Sequence, residues 1–189
     1  SCVALSLVAP TKKTLAVTRS FGRPVERWDD MRAAVATYAA RACEKLRRHG
    51  LVASAMQVFM HTSEFSNDPR YANQATFRIE PTSDSLAIIA AAVRAASTLW
   101  RDGYRFAKAG VIFIDLDRVA DLPAQLIPSR DPGKSAALML ALDRINLRHG
   151  RDTLRPGGLP KAQGPWSMRR AALSPCYTTR FDELLEVKA

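Results

Sequence analysis

The sequence predicts an α+β fold, a four-stranded antiparallel sheet with two helices on one face, followed by a small, mostly helical C-terminal extension. Segments with apolar residues at every second position alternate with segments of helical spacing, in the order β-α-β-β-α-β. Hydrophobic residues make up 47% of the 189 positions, which is enough to form a core. Packing both helices on one face of the sheet would bury the apolar sides of the two layers.

The first two elements are a strand and a helix. Residues 13–22 alternate between apolar and polar side chains, and we expect Pro24 to end this strand. Residues 29–48 change to helical spacing, with Asp29 or Asp30 as the candidate N-cap. The apolar stripe of this helix is expected to face the sheet and consists of Met31, Ala34, Val35, Tyr38, Ala39, Ala42 and Leu46.

Two strands, a second helix and a fourth strand follow. Residues 54–63 and 73–81 alternate and are separated by an Asn-Asp-Pro turn. Asp84 or Ser83 is expected to cap the second helix, which is rich in alanine and isoleucine. Residues 106–116 are strongly apolar and complete the sheet as its fourth strand.

The C-terminal extension begins after a stretch that contains three prolines. Residues 135–150 are predicted to form a helix whose apolar side holds Leu138, Leu142 and Ile145. Residues 166–173 are predicted to form a short helical turn before a Ser-Pro break.

One face of the predicted sheet is polar in an unusual way. Its outward positions carry short donors and an arginine, and the alternation assigns no carboxylate to them, whereas solvated faces commonly carry glutamate and lysine. Such side chains suit phosphate oxygens, although an ordinary solvated face is the other interpretation. The residues are Thr18, Ser20, Gln57, His61, Gln74, Thr76 and Arg78.

The charge of the chain points to a polyanionic partner. The formal net charge is +10, which indicates nucleic acid first and an anionic membrane second. No apolar stretch reaches the ~18–20 residues that span a bilayer. The cysteines at positions 2, 43 and 176 form no disulfide framework, which favours a reducing compartment.

The motifs that suggest catalysis are weak. Asp115 and Asp117 follow an apolar strand, but nucleotidyl transfer with two metal ions needs another carboxylate nearby, so we interpret them as a strand end. Residues 133–135 resemble the end of a P-loop without its upstream glycine.

The β-α-β-β-α-β order also fits an RNA-recognition module, but Phe77 falls on the inward side and the aromatic signature is missing.

Several longer motifs resemble a known family. The chain is similar to the little-finger domain of Y-family DNA polymerases, in the bacterial UmuC/MucB/ImpB branch, together with the conserved extension of that branch. The resemblance rests on VTRSFG (17–22), MRAAVATYAARACEKLRRHG (31–50), FMHTS (59–63), KAGVIF (108–113), LDRINLRHGRDTL (142–154) and the W-x-M-R-R-x-x-L-S-P-x-Y-T-T-R motif (166–180).

The resemblance implies a division of the chain and a non-catalytic role. Residues 1–12 would be a tether from a preceding thumb and palm, 13–119 the DNA-binding little finger, 120–134 a linker and 135–189 the extension. Because the family does its chemistry in the palm, with Mg²⁺, this chain is expected to need no cofactor and to polymerise no DNA. It would hold damaged primer-template DNA in the bacterial cytoplasm, at the nucleoid, during the SOS response.

The resemblance also implies residue roles. Gln125 and Leu126 retain only the start of the Q-L-x-L-F peptide that binds the sliding clamp, so clamp binding is expected to be weak. DNA contacts are expected from Thr18, Arg19, Ser20, Gly22, Gln74, Thr76, Arg78 and Lys108. Contacts with acidic partners, such as DNA, a UmuD-type subunit or the RecA filament, are expected from Arg169, Arg170 and Arg180.

Overall fold

The structure is a computed structural model that describes residues 12–122, 130–160, 164, 166–168 and 174–184. Its four strands form one antiparallel sheet in the order β1-β4-β2-β3, so β4 and β2 are central and β1 and β3 are edges. Helices α1 and α2 pack together on one face, which confirms the predicted architecture. The elements are β1 (Thr14–Val25), α1 (Trp28–Arg48), β2 (Leu51–Thr62), β3 (Ala72–Thr82), α2 (Ser85–Leu99), β4 (Phe106–Arg118) and α3 (Pro132–His149), with short 3-10 helices at Val119–Asp121 and Phe181–Glu183.

The core lies between the sheet and the two helices. Every residue of the predicted α1 stripe is buried, and Cys43 is buried with them. Phe106 and Phe113 on β4 and Met56 on β2 face these helices and are fully buried. Burying each such side chain contributes roughly 1.5–3 kcal/mol before conformational entropy is counted. Among the described residues, no helix is both long and apolar enough to cross a membrane.

The helix ends agree only partly with the sequence prediction. Asp84 caps α2, because its side chain accepts a hydrogen bond from the Leu86 amide. The expected capping of α1 by an aspartate is wrong: Arg27 is the N-cap residue and makes no side-chain cap bond. Asp29 and Asp30 lie instead in the first turn, where their charges favour the positive end of the helix dipole.

Strand β1 continues past the proline that was expected to end it. The strand runs to Val25, and its pairing with β4 is irregular between Ser20 and Val25. Because β1 is an edge strand, the backbone groups on one of its sides form no hydrogen bonds to another strand. Pro24, which has no backbone N–H, is therefore tolerated there. The predicted end of this strand is therefore wrong.

Helix α3 buries a different side from the one predicted. Met139 is its one buried residue within the described part of the chain, while Leu138 is 48% and Ile145 37% exposed. The helix is rotated about its axis relative to the prediction because polar contacts orient it. Asp143 pairs with Arg47 of α1, and the Met139 sulfur accepts a hydrogen bond from the Ser85 amide of α2. Residues 169–173 of the predicted helical turn lie outside the described residues, and the predicted division into domains stays a prediction.

Candidate nucleic-acid interface

The sheet surface opposite the helices, which we call the outward face, is built from four rows of side chains. Residues that lie directly opposite each other on paired strands share a face. The strand registers therefore place one residue each from β1, β4, β2 and β3 in every row. The rows are Thr14–Ile114–Ala55–Arg78, Ala16–Ile112–Gln57–Thr76, Thr18–Gly110–Phe59–Gln74 and Ser20–Lys108–His61–Ala72.

Six of the eight residues predicted to bind DNA share this outward face. Thr18 and Ser20 lie on the β1 edge, and Lys108 lies beside Ser20 on β4. The other three, on the β3 edge, are Gln74, Thr76 and Arg78. The two edges are three strand spacings apart, or about 14 Å at about 4.8 Å per spacing.

The other two predicted residues lie elsewhere. Arg19 pairs with Ala109, which is buried beneath the helices. Arg19 therefore lies on the helix side of β1, the opposite face from Thr18 and Ser20. Gly22 is half-buried within the irregular end of β1. The structure thus separates the Arg19 side chain from its two neighbours in the motif.

The middle of the outward face holds an aromatic pair that the sequence reasoning did not single out. The rings of Phe59 and His61 on β2 are stacked, with centroids 6.1 Å apart and an interplanar angle of 13°. Phe59 pairs with Gly110 of the neighbouring strand β4. A Cβ added to Gly110 would lie 2.5 Å from Thr18 Cγ2 and 2.6 Å from Phe59 Cε1. A glycine inside a strand often marks a place where other groups approach its backbone closely. Gly110 could therefore have predicted that a side chain of a neighbouring strand packs over it.

Charge and hydrogen bonding leave cationic groups available on this face. Within the described part of the chain, Arg78 and Lys108 form no salt bridge. Gln57 Nε2 donates to Thr76 Oγ1 at 3.0 Å, which orients both side chains. The four rows contain no carboxylate; Glu80 follows Arg78 on β3 where the pairing with β2 is irregular.

Within the described part of the chain, the two aspartates at the end of β4 belong to no carboxylate cluster. Asp115 is exposed and has a φ of 52°, and Asp117 accepts a hydrogen bond from Ser54 at 3.3 Å. Among the described residues, no three histidine, cysteine, aspartate or glutamate side chains are grouped closely enough to hold a metal ion.

Hydrogen bonds and a ring contact attach the extension to the body of the domain. Ser135 and Arg130 donate to the Asp84 carboxylate at 2.7 and 3.2 Å. Burial acts to raise the pKa of Asp84, but the hydrogen bonds from Ser135, the Leu86 amide and Arg130 outweigh it and lower that pKa. The buried Trp166 ring meets Tyr38 of α1 edge-on, with centroids 6.0 Å apart.

The residues predicted to contact acidic partners are only partly described. The Arg180 guanidinium forms salt bridges with Glu183 at 2.6 Å and Asp182 at 3.6 Å, so its charge is locally balanced. Arg169 and Arg170 lie outside the described residues. Gln125 and Leu126, predicted to be the remainder of a clamp peptide, also lie outside them.

Comparisons with known proteins found matches for both the sheet domain and the extension. The model of the impB/mucB/samB family C-terminal domain matches residues 12–126. A second family model, described as a domain of unknown function (DUF4113), matches residues 136–187. The chain is 42% identical over 190 residues to Protein UmuC of Salmonella typhimurium strain LT2, covering 99% of this chain and 45% of that protein.

Two further similarities were found. Protein ImpB of Salmonella typhimurium is 38% identical over 187 residues, covering 97% of this chain and 44% of that protein. The chain therefore spans less than half the length of these relatives. A solved complex of the beta-clamp processivity factor and the little finger domain of PolIV aligns with 62% of this chain and 99% of that chain, at 16% identity and a TM-score of 0.39.

Proposed function

The chain belongs to the impB/mucB/samB family by its match to the family's C-terminal domain, and from this premise we propose that it is the non-catalytic DNA-binding part of a UmuC-like Y-family polymerase. In this role it holds damaged primer-template DNA during translesion synthesis in the SOS response. The family match and the identity to UmuC support the assignment to a Y-family C-terminal region.

The observation that carries the proposal is the pair of polar edges on the outward face. The backbones of the two edge strands are about 14 Å apart, with hydroxyl groups on β1 and amide, hydroxyl and guanidinium groups on β3. The major groove of B-DNA is about 12 Å wide. The two edges are therefore spaced to reach the phosphates on either side of one groove.

The chemistry of the face favours contact with the backbone over recognition of bases. Hydroxyl, amide and cationic groups bind phosphate oxygens, and such contacts position a protein without reading sequence. Arg78 and Lys108 form no salt bridge with a described carboxylate, and the chain as a whole carries +10. We therefore expect binding that depends strongly on salt and little on sequence.

The nucleotidyl transfer of the parent polymerase is proposed to lie outside this chain. Mg²⁺ would act there, in the palm domain, and this chain would need no cofactor. We propose that Asp115 and Asp117 end β4 and take no part in that chemistry; the Asp117 carboxylate accepts a hydrogen bond from Ser54 at 3.3 Å.

The partners and location follow from the same proposal. The parent would act on DNA in the bacterial cytoplasm, at the nucleoid. A UmuD-type subunit and the RecA filament are proposed to contact the extension near Arg169, Arg170 and Arg180. Contact with a sliding clamp is proposed to be weak because Pro128 and Ser129 replace the leucine and phenylalanine of the clamp peptide.

An RNA-recognition role is not favoured. Phe77 of β3 lies opposite Met56, on the inward side of an edge strand. Phe59 is the aromatic residue that faces outward, but it is half-buried against Gly110 and stacked on His61. The family match also assigns the chain to a different class.

Fluorescence anisotropy with primer-template DNA tests the proposal. The chain should bind duplexes of unrelated sequence equally, with log K falling by about 0.9 per phosphate contact as log salt concentration rises. An affinity independent of salt, or confined to one sequence, would overturn it. Preference for single-stranded RNA over duplex DNA would instead support the RNA-recognition alternative.

A further inference from the structure

A cationic groove lies behind the β1 edge, on the opposite side of that strand from the outward face. It lies between α1, β1 and the described part of the extension and has a volume of about 570 Å³, within the ~300–1,000 Å³ typical of ligand sites. Five cations line it, with Asp152 as the one carboxylate among its described lining residues. The cations are Arg19, Arg41, Lys45, Arg151 and Arg155.

The charges in the groove are only partly balanced. Arg41 pairs with Asp152 and Glu44, and Arg151 pairs with Glu44 at 3.2 Å. Arg19 and Lys45 are exposed and form no salt bridge within the described part of the chain. The groove therefore keeps an excess of positive charge that an anion would balance.

Two uncharged side chains on the groove wall are compatible with an anion. Burial raises the pKa of Tyr38 to about 12, so its hydroxyl stays protonated and does not repel a negative ligand. Ser167 also lines the groove, and its buried Oγ has no hydrogen-bond partner among the described residues. Buried polar groups normally have a partner, so this hydroxyl is an unsatisfied polar group in the groove wall.

Strand β1 joins the groove to the outward face. Thr18 and Ser20 belong to the outward face, and Arg19 between them has the opposite alternation and lines the groove. A strand of nucleic acid that contacts the hydroxyls at this edge would therefore meet Arg19 as soon as it passes around the edge. Arginine predominates among the cations, and its planar guanidinium matches the geometry of phosphate.

We propose that this groove binds the phosphodiester backbone of single-stranded DNA that continues from the duplex held on the outward face. The proposal rests on the proposed DNA-binding function. The extension would thus complete a second nucleic-acid site, because Arg151, Arg155 and Ser167 come from it while Arg19, Arg41 and Lys45 come from the body.

The test compares a blunt duplex with the same duplex carrying a single-stranded thymidine overhang, using the 189-residue chain and the double variant Arg19→Ala/Lys45→Ala. The wild-type chain should bind the overhang substrate more tightly than the blunt duplex. The variant should lose this preference while keeping its affinity for the blunt duplex. Losing two phosphate contacts should reduce the salt slope by about 1.4 and the overhang affinity by on the order of tenfold at ~0.1 M salt.

The control is Arg94→Ala/Arg101→Ala, which removes the same charge from two exposed residues, one on α2 and one just after it, that line neither surface. It should leave the preference for the overhang unchanged.

If the wild type binds blunt duplex but gains nothing from the overhang, or if both double variants behave alike, the groove proposal is wrong and the proposed function stands. If the double variant loses affinity for a poly-glutamate peptide but keeps the preference for the overhang, the groove is a site for acidic peptides and the proposal is also wrong. If the chain does not bind blunt duplex, the proposed function itself fails.

Discussion

Arg47 of α1 and Asp143 of α3 form a bidentate ion pair, in which Nε and Nη2 of the guanidinium each lie 2.7 Å from a carboxylate oxygen. Arg47 Nη1 also donates to the Ser83 carbonyl and the Ser85 hydroxyl, both at 2.9 Å. Burial acts to lower the pKa of Arg47, but the hydrogen bonds and charge of Asp143 outweigh it and raise that pKa. One largely buried guanidinium therefore joins α1, the start of α2 and the extension.

Asp143→Ala should loosen α3 without unfolding the sheet. The change leaves the 12%-exposed Arg47 side chain with fewer partners, which should weaken docking of α3 by about 1–3 kcal/mol. Hydrogen exchange should accelerate over residues 132–149 and stay unchanged over residues 12–118. Arg148→Ala, on an exposed position of the same helix, is the control. Unaltered protection of α3 in Asp143→Ala would contradict the anchoring role of the pair.

The sequence predicted the sheet and the two core helices because their patterns are local and periodic. The α1 stripe and the alternation on β2 and β3 are set by which side chains meet the core, so spacing alone identifies them. The rotation of α3 was not predictable in this way. It depends on Arg47, 96 residues away in sequence from Asp143, and no local pattern contains that contact.

The candidate interface was predictable to a similar extent. Alternation placed Thr18, Ser20, Gln74, Thr76 and Arg78 on one face, and the strand registers agree. The resemblance to a family motif grouped Arg19 with Ser20, although adjacent residues of a strand point to opposite faces. The cationic groove needed the docked extension, because its lining residues are brought together from both parts of the chain.

Gly110→Ala should destabilise the domain and disturb the outward face. The added Cβ would lie 2.5 Å from Thr18 and 2.6 Å from the Phe59 ring, so one of these must move. Overpacking of this kind costs about 1–3 kcal/mol, and thermal or urea unfolding should show it. Gly157→Ala, where no atom lies within 4 Å of the added Cβ, should change stability much less. Equal effects of the two substitutions would mean that the Phe59 ring is not held against Gly110.

Cys43 should make the folded state sensitive to alkaline pH. Burial raises the pKa of this thiol to about 12, whereas an unfolded cysteine ionises near about 8.5. The unfolded state therefore releases its proton first, and stability is retained below about pH 8.5 and lost as the pH rises toward the folded pKa. Between pH 7 and 10 the free energy of unfolding should fall by about 1–2 kcal/mol more in the wild type than in Cys43→Ala. Parallel pH profiles for the two proteins would refute this assignment.

Arg78→Glu should weaken binding to duplex DNA of every sequence by a similar factor. Arg78 lies on the β3 edge of the outward face and forms no salt bridge with a described residue, so reversing its charge removes a phosphate contact and adds repulsion. The salt slope should fall by about 0.9 for the contact that is lost. Arg94→Glu, an exposed residue of α2, carries the same charge change away from this face. A loss of affinity for only one sequence, or an equal loss in both variants, would argue against backbone binding by the sheet.

Trp166→Ala should release the extension while leaving the sheet and core helices folded. The ring is 6% exposed and packs edge-on against Tyr38 of α1, and a Cβ at Gly164 would lie 2.4 Å from its Nε1. Replacing a buried tryptophan with alanine costs about 3–5 kcal/mol. Because this contact joins the extension to the body, that loss should appear mainly as undocking.

Hydrogen exchange on the 189-residue chain tests this expectation. In Trp166→Ala, amides of residues 130–160 should exchange faster, and amides of residues 12–118 should keep wild-type protection because their core does not include the extension's helix. Met168→Ala, at a neighbouring side chain that is 43% exposed, should leave both regions protected. Trp166 packs with the main core, so unfolding of the whole chain in one step would show that this contact also stabilises the sheet and the core helices. Wild-type protection of the extension would show that the Arg47–Asp143 pair holds it without the tryptophan.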